Sequence, residues 1–511
     1  MMFSRAALRI ATARSVATKR VALSTAMPTM PAASRSFSSS LQDSPRKSLV
    51  TSEEGVHQTM KISKGWRNKP LFRRQGDVRF KTGNEAAQLL IKEAKRRDLY
   101  DREFIDSISS KMMCLSPVFD RNPKYAFLAK TLMEPERYIQ FRVSWIDDTG
   151  VIRMNRGYRI QYSSSLGPYQ GSLHFGSHIT NSIIKSLSFN TVFSNALTGF
   201  DAGAAVGGSD FNPLDKSEAE LQRFCQSYMT ELSKYLGPEQ DFPYMGSGVS
   251  EEEMGYMFGQ YKRINPKASV AGRYFMSADF PESPGFGIAH FANEMLQDKK
   301  DSLKGKQCLI MGSDKVARSL AAKLLSFGAI PITFSDASGH VYEPDGISEG
   351  SLKTVNKIKE ERGALLGRYI ISSTTAEFNN PENIMDIACD LCFPCEGMDS
   401  IDEAAVNKLA DNGCQGIIEG AQSCVTSKGR AALKKRGMLY GPHVMTLTGS
   451  CIVHAMGTGA TDEELAKHVG RIYQDVKRTA AEFNARGDLY TGATVLGFMR
   501  VANVMMTHGA V

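Results

Sequence analysis

The stretch KQCLIMGSDKVARSLAAKLLSFGAIPITFSD, Lys306 to Asp336, decides the fold. Lys306 to Met311 is a short apolar run that reads as a buried strand, and Gly312-Ser313-Asp314-Lys315-Val316-Ala317 reads as a turn. Arg318 to Phe327 carries apolar residues at helical spacing and stops at Gly328, a residue type that accepts the left-handed conformation of a helix end. A second apolar run, Ile330 to Ser335, closes at Asp336. Strand, turn, helix and strand in that order open a βαβ unit.

Downstream, Tyr369 to Thr374, Ile387 to Phe393 and Gly416 to Ala421 read as further strands alternating with helices, the pattern of a doubly wound α/β domain of nucleotide-binding type. Upstream, Ser217-x-x-Glu220 is a capping box. It opens a helix whose Leu221, Phe224, Cys225, Tyr228, Met229, Leu232, Tyr235 and Leu236 make one apolar stripe, with Gly237-Pro238 as the stop. Such a stripe is core packing. A second capping box, Thr461-x-x-Glu464, opens a long helix carrying Leu465, Val469, Ile472 and Val476, and helices continue to the C-terminus. There is no internal repeat of solenoid length.

With 511 residues, 42% hydrophobic and 23% charged, the chain can build two cores. Its formal charge is +8, but Arg5, Arg9, Arg14, Lys19, Arg20 and Arg35 all precede the first acid, Asp43, so the remainder is near neutral. Neutrality gives no electrostatic reason to bind nucleic acid or anionic lipid. The acid-free segment, rich in Arg, Ser and Ala and able to form a basic amphipathic helix around Phe3, Leu8, Ile10 and Val16, reads as a transit peptide over residues 1–47. The expected destination is the mitochondrial matrix, ahead of a plastid; the bland alternative is a surface tail. No apolar run reaches the roughly 20 residues of a membrane span. Among nine cysteines, Cys389, Cys392 and Cys395 stand three apart. They read as part of a buried strand, in preference to a thiolate metal site that lacks a fourth ligand.

Larger segments carry a resemblance. EPERYIQFRVSWIDDTGVIRMNRGYRIQYSSSLGPYQGSLHF (Glu134 to Phe175), GGSDFNPLDKSEAELQRFCQSYMTEL (Gly207 to Leu232), SDASGHV (Ser335 to Val341) and the closing GFMRVANVMMTHGAV resemble the hexameric, NADP-type glutamate dehydrogenases. The resemblance implies an α/β chain with a glutamate-dehydrogenase-like substrate domain and a Rossmann-like doubly wound domain. The expected order is an irregular basic lead-in over 48–84, a substrate and oligomerisation domain over 85–280, a cofactor domain over 281–440, and helices over 441–511 that return to the first domain. Ordinarily it also implies a hexamer and the NAD(P)-dependent conversion of glutamate to 2-oxoglutarate and ammonia.

That chemistry needs cations for two carboxylates, a lysine to polarise the reacting carbon, and an acid to move protons. The positions that match the family's substrate lysines are Gln170 and Ser194; the catalytic lysine's position is Val206, and the catalytic aspartate's is Gly246. Asp241 lies close by in sequence but matches a different family residue. A charge-assisted contact is worth roughly 1.5–3 kcal/mol, so three missing cations remove on the order of 4–9 kcal/mol of diacid binding.

On the cofactor side the fingerprint positions are Gly312, Ser313, Asp314 and Val316, with Asp314 placing a carboxylate where a pyrophosphate belongs. Asp336 stands at the ribose position and reads equally well as a turn-capping residue. Further family positions correspond to Phe280, Pro284, Gln422 and His454. The expectation is a non-catalytic relative with no cofactor required, or NADP or NAD if nucleotide binding is retained, acting in a glutamate-dehydrogenase-type oligomer or a larger mitochondrial complex. The alternatives are an enzyme of altered chemistry using His174, His443 or His454 around Val206, and a working glutamate dehydrogenase.

Overall fold

The structure, a computed structural model, describes residues 80–237, 239–265, 280, 282–457 and 459–509. The expected transit peptide and nearly all of the lead-in lie outside the described residues. Four helices, Gly83–Arg97, Arg102–Cys114, Ser116–Arg121 and Lys124–Leu132, precede a mixed sheet. Its strands are β1 (Arg137–Ile146), β2 (Ile152–Ser163), β3 (Tyr169–Phe175), β4 (Ala204–Ser209) and β5 (Asp241–Met245), in the spatial order β1-β2-β4-β3-β5. β1, β2 and β4 pair antiparallel, whereas β3 runs parallel to both β4 and β5.

Side chains alternate across a sheet. Even-numbered residues such as Ile160 and Val206 join the core beneath the helix Asn181–Thr198. Odd-numbered Val143, Trp145, Leu173 and Phe175 pack instead with the stripe of the helix Glu218–Leu232. Ser217 and Glu220 form the reciprocal cap read from the sequence. The α-helix stops at Leu232 and one 3-10 turn, Ser233–Tyr235, finishes the stripe.

The second half holds β6 (Gln307–Met311), β7 (Ile330–Pro331), β8 (Thr333–Asp336), β9 (Gly339–Tyr342), β10 (Glu377–Asn379), β11 (Leu391–Pro394), β12 (Gly416–Ile418) and β13 (Leu439–Gly441). A parallel sheet runs β13-β12-β11-β6-β7, and an antiparallel one runs β10-β9-β8. Three sequence expectations are corrected here, the first being the strand read over Ile387 to Phe393, which spans only Leu391–Pro394. The single strand over Ile330 to Ser335 divides at Ile332: Pro331 pairs with Cys308 in the parallel sheet, while Thr333 pairs antiparallel with Tyr342. Proline has no amide to continue a ladder, which suits it to this break. Tyr369 to Thr374 is not a strand; a 3-10 helix, Leu366–Ser372, takes its place. Its Tyr369 hydroxyl and the Ser373 hydroxyl both donate to Glu343, at 2.7 Å each.

The cysteine trio is not a shared site. Cys389 and Cys392 join the core on one face of the parallel sheet and Cys395 the core on the other. All are free thiols, and among the described residues no group of three or more His, Cys, Asp or Glu could hold a metal ion. Nor, among them, is any helix long and apolar enough to cross a membrane. The last helices, Asp462–Glu482 and Leu489–His508, return to the first half. Arg471 donates to Thr198 O at 3.0 Å and Arg500 to Ala196 O at 2.8 Å.

Candidate functional site

Gln170 on β3, Val206 on β4 and Gly246 just after β5 lie on neighbouring strands. The register pairs Gln170 with Phe242, Ser172 with Tyr244 and Leu173 with both Gly207 and Met245, so all three positions belong to the sheet face toward the Asn181–Thr198 helix. Ser194 comes from that helix and is buried. Its neighbour Asn195 ties the group together, donating to Gln170 O at 3.3 Å and to Gly203 O at 2.6 Å. Asn195 thus links the Ser194 helix to Gln170, Val206 and Gly246 lie farther along the same sheet face, and none of the four positions carries a charge.

Their surroundings are specific. Val206 is fully buried in the apolar core. Gly246 has no room for a larger residue: a Cβ there would stand 2.4 Å from Leu173 O and 2.9 Å from the His174 ring. His174 accepts from Ser247 N–H through Nδ1 at 3.2 Å, which leaves Nε2–H to donate to Ser172 Oγ at 2.7 Å. Burial lowers the His174 pKa to about 4, with His178 and Arg159 adding to the effect. His454 lies flat on Tyr244, ring centroids 4.4 Å apart and planes 24° apart. Burial lowers its pKa to about 4 as well. Neutral imidazoles neither replace an ammonium nor hold a carboxylate as a counter-ion.

Asp241 is committed elsewhere. Both it and Arg159 have no exposed side-chain surface. Arg159 Nε and Nη2 reach the carboxylate at 3.0 and 2.5 Å, and Gln161 Nε2 adds a third contact at 2.9 Å. His443, the third histidine of the altered-chemistry reading, stands apart from the four positions, bound through Nδ1 to Glu419 at 3.0 Å.

The cofactor positions gather at the C-terminal ends of β6 and β8. Gly312 has φ +107°, a conformation that favours glycine, and its N–H donates to Ser335 Oγ at 2.7 Å. Asp314 is the N-cap of the helix Lys315–Ser326 and accepts from Ala317 N–H at 2.9 Å. Two amides that a phosphate would use are therefore taken by the protein itself. Asp336 Oδ2 accepts from Lys359 Nζ at 2.5 Å and from Leu366 N–H at 2.8 Å, and its Oδ1 from Ser338 N–H at 2.9 Å, so both oxygens serve as structural caps. Glu396, which accepts from Ser335 Oγ at 2.6 Å, completes a carboxylate trio. Its pKa is raised by desolvation, then by Asp314 and Asp336. Lys315 is drawn to Glu251 of the first half at 2.6 Å, and Lys359, paired with Asp336 at 2.5 Å, is the cation that offsets part of this charge. The carboxylates and the occupied amides weaken this turn as a pyrophosphate site.

Sequence reading missed Glu396 and the Tyr244–His454 stack. The alternation of β5 puts Tyr244 and Gly246 on one face, and that period was the available signal. Phe280 packs edge-on against Phe286, centroids 5.3 Å apart, and Pro284 sits in the first turn of the helix Ser283–Gln297. Gln422 has a buried Oε1 without a partner.

Comparison with known proteins decides the ancestry. The sequence model described as Glu/Leu/Phe/Val dehydrogenase, dimerisation domain, matches residues 135–263, and the one described as Glutamate/Leucine/Phenylalanine/Valine dehydrogenase matches residues 277–509. The chain belongs to this dehydrogenase family. An NADP-specific glutamate dehydrogenase of Chlorella sorokiniana is 37% identical over 446 residues, covering 84% of this chain and 85% of that protein. One of Helicobacter pylori is 34% identical over 445 residues, covering 82% and 99%. Among solved structures, a Plasmodium falciparum glutamate dehydrogenase superposes with a TM-score of 0.78 at 32% identity, covering 83% and 95%. The glutamate-dehydrogenase fold, with its substrate-binding and Rossmann-like halves, is therefore this chain's fold.

Proposed function

We propose that this glutamate-dehydrogenase-like chain is a non-catalytic family member, serving as a structural or regulatory subunit of an oligomeric mitochondrial assembly. One observation carries the reading: the positions that match the family's substrate and catalytic residues hold Gln170, Ser194, Val206 and Gly246, and none of these offers a diacid a cation. The carboxylates of Asp314, Asp336 and Glu396 support it from the cofactor side. The dimerisation-domain match supports self- or co-assembly, and the basic, acid-free first 42 residues support a mitochondrial address.

A second reading, an active glutamate dehydrogenase, is favoured by the names of the relatives, which are NADP-specific glutamate dehydrogenases aligned over most of this chain. One assay separates the two. Purified protein is incubated with glutamate and NADP or NAD, and in reverse with 2-oxoglutarate, ammonium and the reduced cofactor. The proposal expects no substrate-dependent change in nicotinamide absorbance, and turnover in either direction rejects it. Sizing by light scattering tests the assembly, for which a monomer at all concentrations is the contrary result.

A further inference from the structure

Two free thiols outside the cleft are placed as a pair. Cys389 stands two residues before Leu391 on β11 and Cys414 two residues before Gly416 on β12, and the parallel register sets Leu391 beside Gly416. Asp390 and Gln415, the residues that follow the two cysteines, tie these entries together. Gln415 N–H donates to Asp390 O at 2.8 Å and Gln415 Nε2 to Asp390 Oδ1 at 3.1 Å. Neighbouring strands run about 4.8 Å apart, inside the roughly 4.4–6.8 Å between Cα atoms that a disulfide spans. Both cysteines precede the regular strands, so closing a bridge breaks no rung of the ladder between β11 and β12.

The pair lies at the margin of its core. Both side chains join the apolar cluster that also holds Val406 and Leu409 of the helix Glu403–Asp411, where Cys392 is the third thiol on the same sheet. Cys392 has no exposed surface, whereas Cys389 is 5% exposed and Cys414 4%. A small oxidant meets these two before the third.

Their contacts divide the roles. Cys414 Sγ lies 3.2 Å from Gly416 O and is the hydrogen-bond partner of the Cys389 thiol. That bond holds the Cys414 pKa below the usual thiol value; burial opposes it, and the amides of Gly416 and Cys392 act with it. Desolvation pushes the thiols of Cys392, Cys395 and Cys424 well up, and also raises that of Cys114, the least buried cysteine of the nine. A thiolate is the nucleophile in thiol oxidation. Cys414 is therefore placed to react, and Cys389, a protonated thiol beside it, to resolve the product.

We propose that Cys389 and Cys414 are a peroxide-responsive dithiol that closes to a disulfide across the entries of β11 and β12. The ionised Cys414 sulfur attacks one oxygen of hydrogen peroxide and the O–O bond breaks. The other oxygen leaves as hydroxide and takes up the proton that Cys414 gave up, which leaves water and a sulfenic acid on Cys414. The Cys389 sulfur then displaces hydroxide from the Cys414 sulfur: the S–S bond forms, the S–O bond breaks, and the Cys389 proton leaves with the hydroxide as water. The two thiols have lost two electrons and the peroxide has become two waters. A dithiol such as dithiothreitol returns the electrons by thiol–disulfide exchange. The cleft takes no part, so the step is independent of glutamate turnover.

The probe is hydrogen peroxide itself. Full-length protein, reduced and desalted, is treated with it and then blocked with N-ethylmaleimide. Cleavage after Asp and Glu leaves Cys389 as the lone cysteine of 387–390 and Cys414 as the lone cysteine of 412–419, so their linkage is read directly by mass spectrometry. The linked pair is expected about fivefold ahead of any loss of free Cys114, and dithiothreitol should release it. In Cys389→Ser, whose hydroxyl can still donate to Cys414, dimedone should trap the sulfenic acid on 412–419. In Cys414→Ser, dimedone labelling of 387–390 should stand about tenfold lower than that. The wild-type mapping needs no variant to fold. Absence of the linked peptides, oxidation of Cys114 ahead of the pair, or equal dimedone labelling in the two single variants would each overturn the proposal.

Discussion

The buried pair of Arg159 and Asp241 gives a direct test of what the acid on β5 does. In Asp241→Asn the side chain keeps its shape and loses its charge. The structure says what is left behind: a guanidinium with no exposed surface, whose carbonyl partners Gly171 O at 3.1 Å and Ser172 O at 3.3 Å are neutral. Breaking one half of a buried ion pair costs about 3–5 kcal/mol, because the remaining charge is stranded. Asparagine still offers one acceptor, so the lower end, about 3 kcal/mol, is expected. Replacing both residues, Arg159→Met with Asp241→Leu, strands nothing and should return to within about 1 kcal/mol of wild type. Trp145 lies on the same face of that sheet as the pair, packed edge-on against Phe211 at 5.5 Å, so its fluorescence follows unfolding in urea. The transition is taken as that of this half of the chain, since two large cores need not unfold together. A midpoint unmoved in Asp241→Asn refutes the reasoning. So does an Asp241→Asn protein of wild-type stability that loses a glutamate turnover the wild type possesses, because Asp241 would then be a working acid and not a neutralised strut.

Three further outcomes follow from the same geometry. Val206→Lys should destabilise the protein without creating glutamate turnover: it gives up roughly 1.5–3 kcal/mol of apolar burial and places an ammonium in a dry core, with urea unfolding and absorbance assays as the measurements. Asp314→Gly should tighten NADPH binding about tenfold, since it removes a carboxylate from the phosphate position while an N-cap change to glycine costs only a few tenths of a kcal/mol; fluorescence titration showing no change would sink the electrostatic argument. Stability should fall as pH drops from about 6.5 toward 4. His174 and His454 have folded-state pKa values lowered to about 4, so the unfolded chain alone takes up protons in that window, at up to about 1.4 kcal/mol per pH unit for each ring. Thermal melts across this range check it, and His174→Asn with His454→Asn should flatten the slope.

Much of the scaffold was legible because it rests on local rules. The capping boxes at Ser217 and Thr461 form as the spacing of hydroxyl and carboxylate requires, and the strand–turn–helix at Lys306 to Phe327 forms within a few residues of its expected bounds. The misread segments are those settled by distant partners. Tyr369 has strand propensity, yet Glu343 recruits its hydroxyl into a 3-10 turn, and Pro331 hands the chain from one sheet to another. The four family-equivalent positions were found by motif, but the Tyr244–His454 stack was not found, because its halves are about 210 residues apart and meet only through the fold. Lys111 was missed for the same reason: nothing near it in sequence shows that Arg430 and His443 line a pocket with it.

The placement of charge is a stronger argument about the cleft than any single replacement. A lone lysine-to-valine change can be offset by a lysine arriving from elsewhere, so the positions of other cations decide whether rescue occurs. Lys315 is held by Glu251, Lys359 by Asp336, and Arg362 by Glu252 and Glu253, at 2.5–2.6 Å in every case. Lys185 is held by Asp98 and Asp101 at 2.5 and 3.2 Å. Lys111 lacks such a carboxylate tie and is instead turned toward Asn190, one helical turn from Ser194, under the rings of Phe189 and Phe193. For it to serve the cleft, those two rings would have to leave a packed core in which both are fully buried. That rearrangement exposes two phenylalanines at about 1.5–3 kcal/mol each, more than the roughly 1.5–3 kcal/mol a single charge-assisted contact to substrate returns. The balance keeps Lys111 under those two rings.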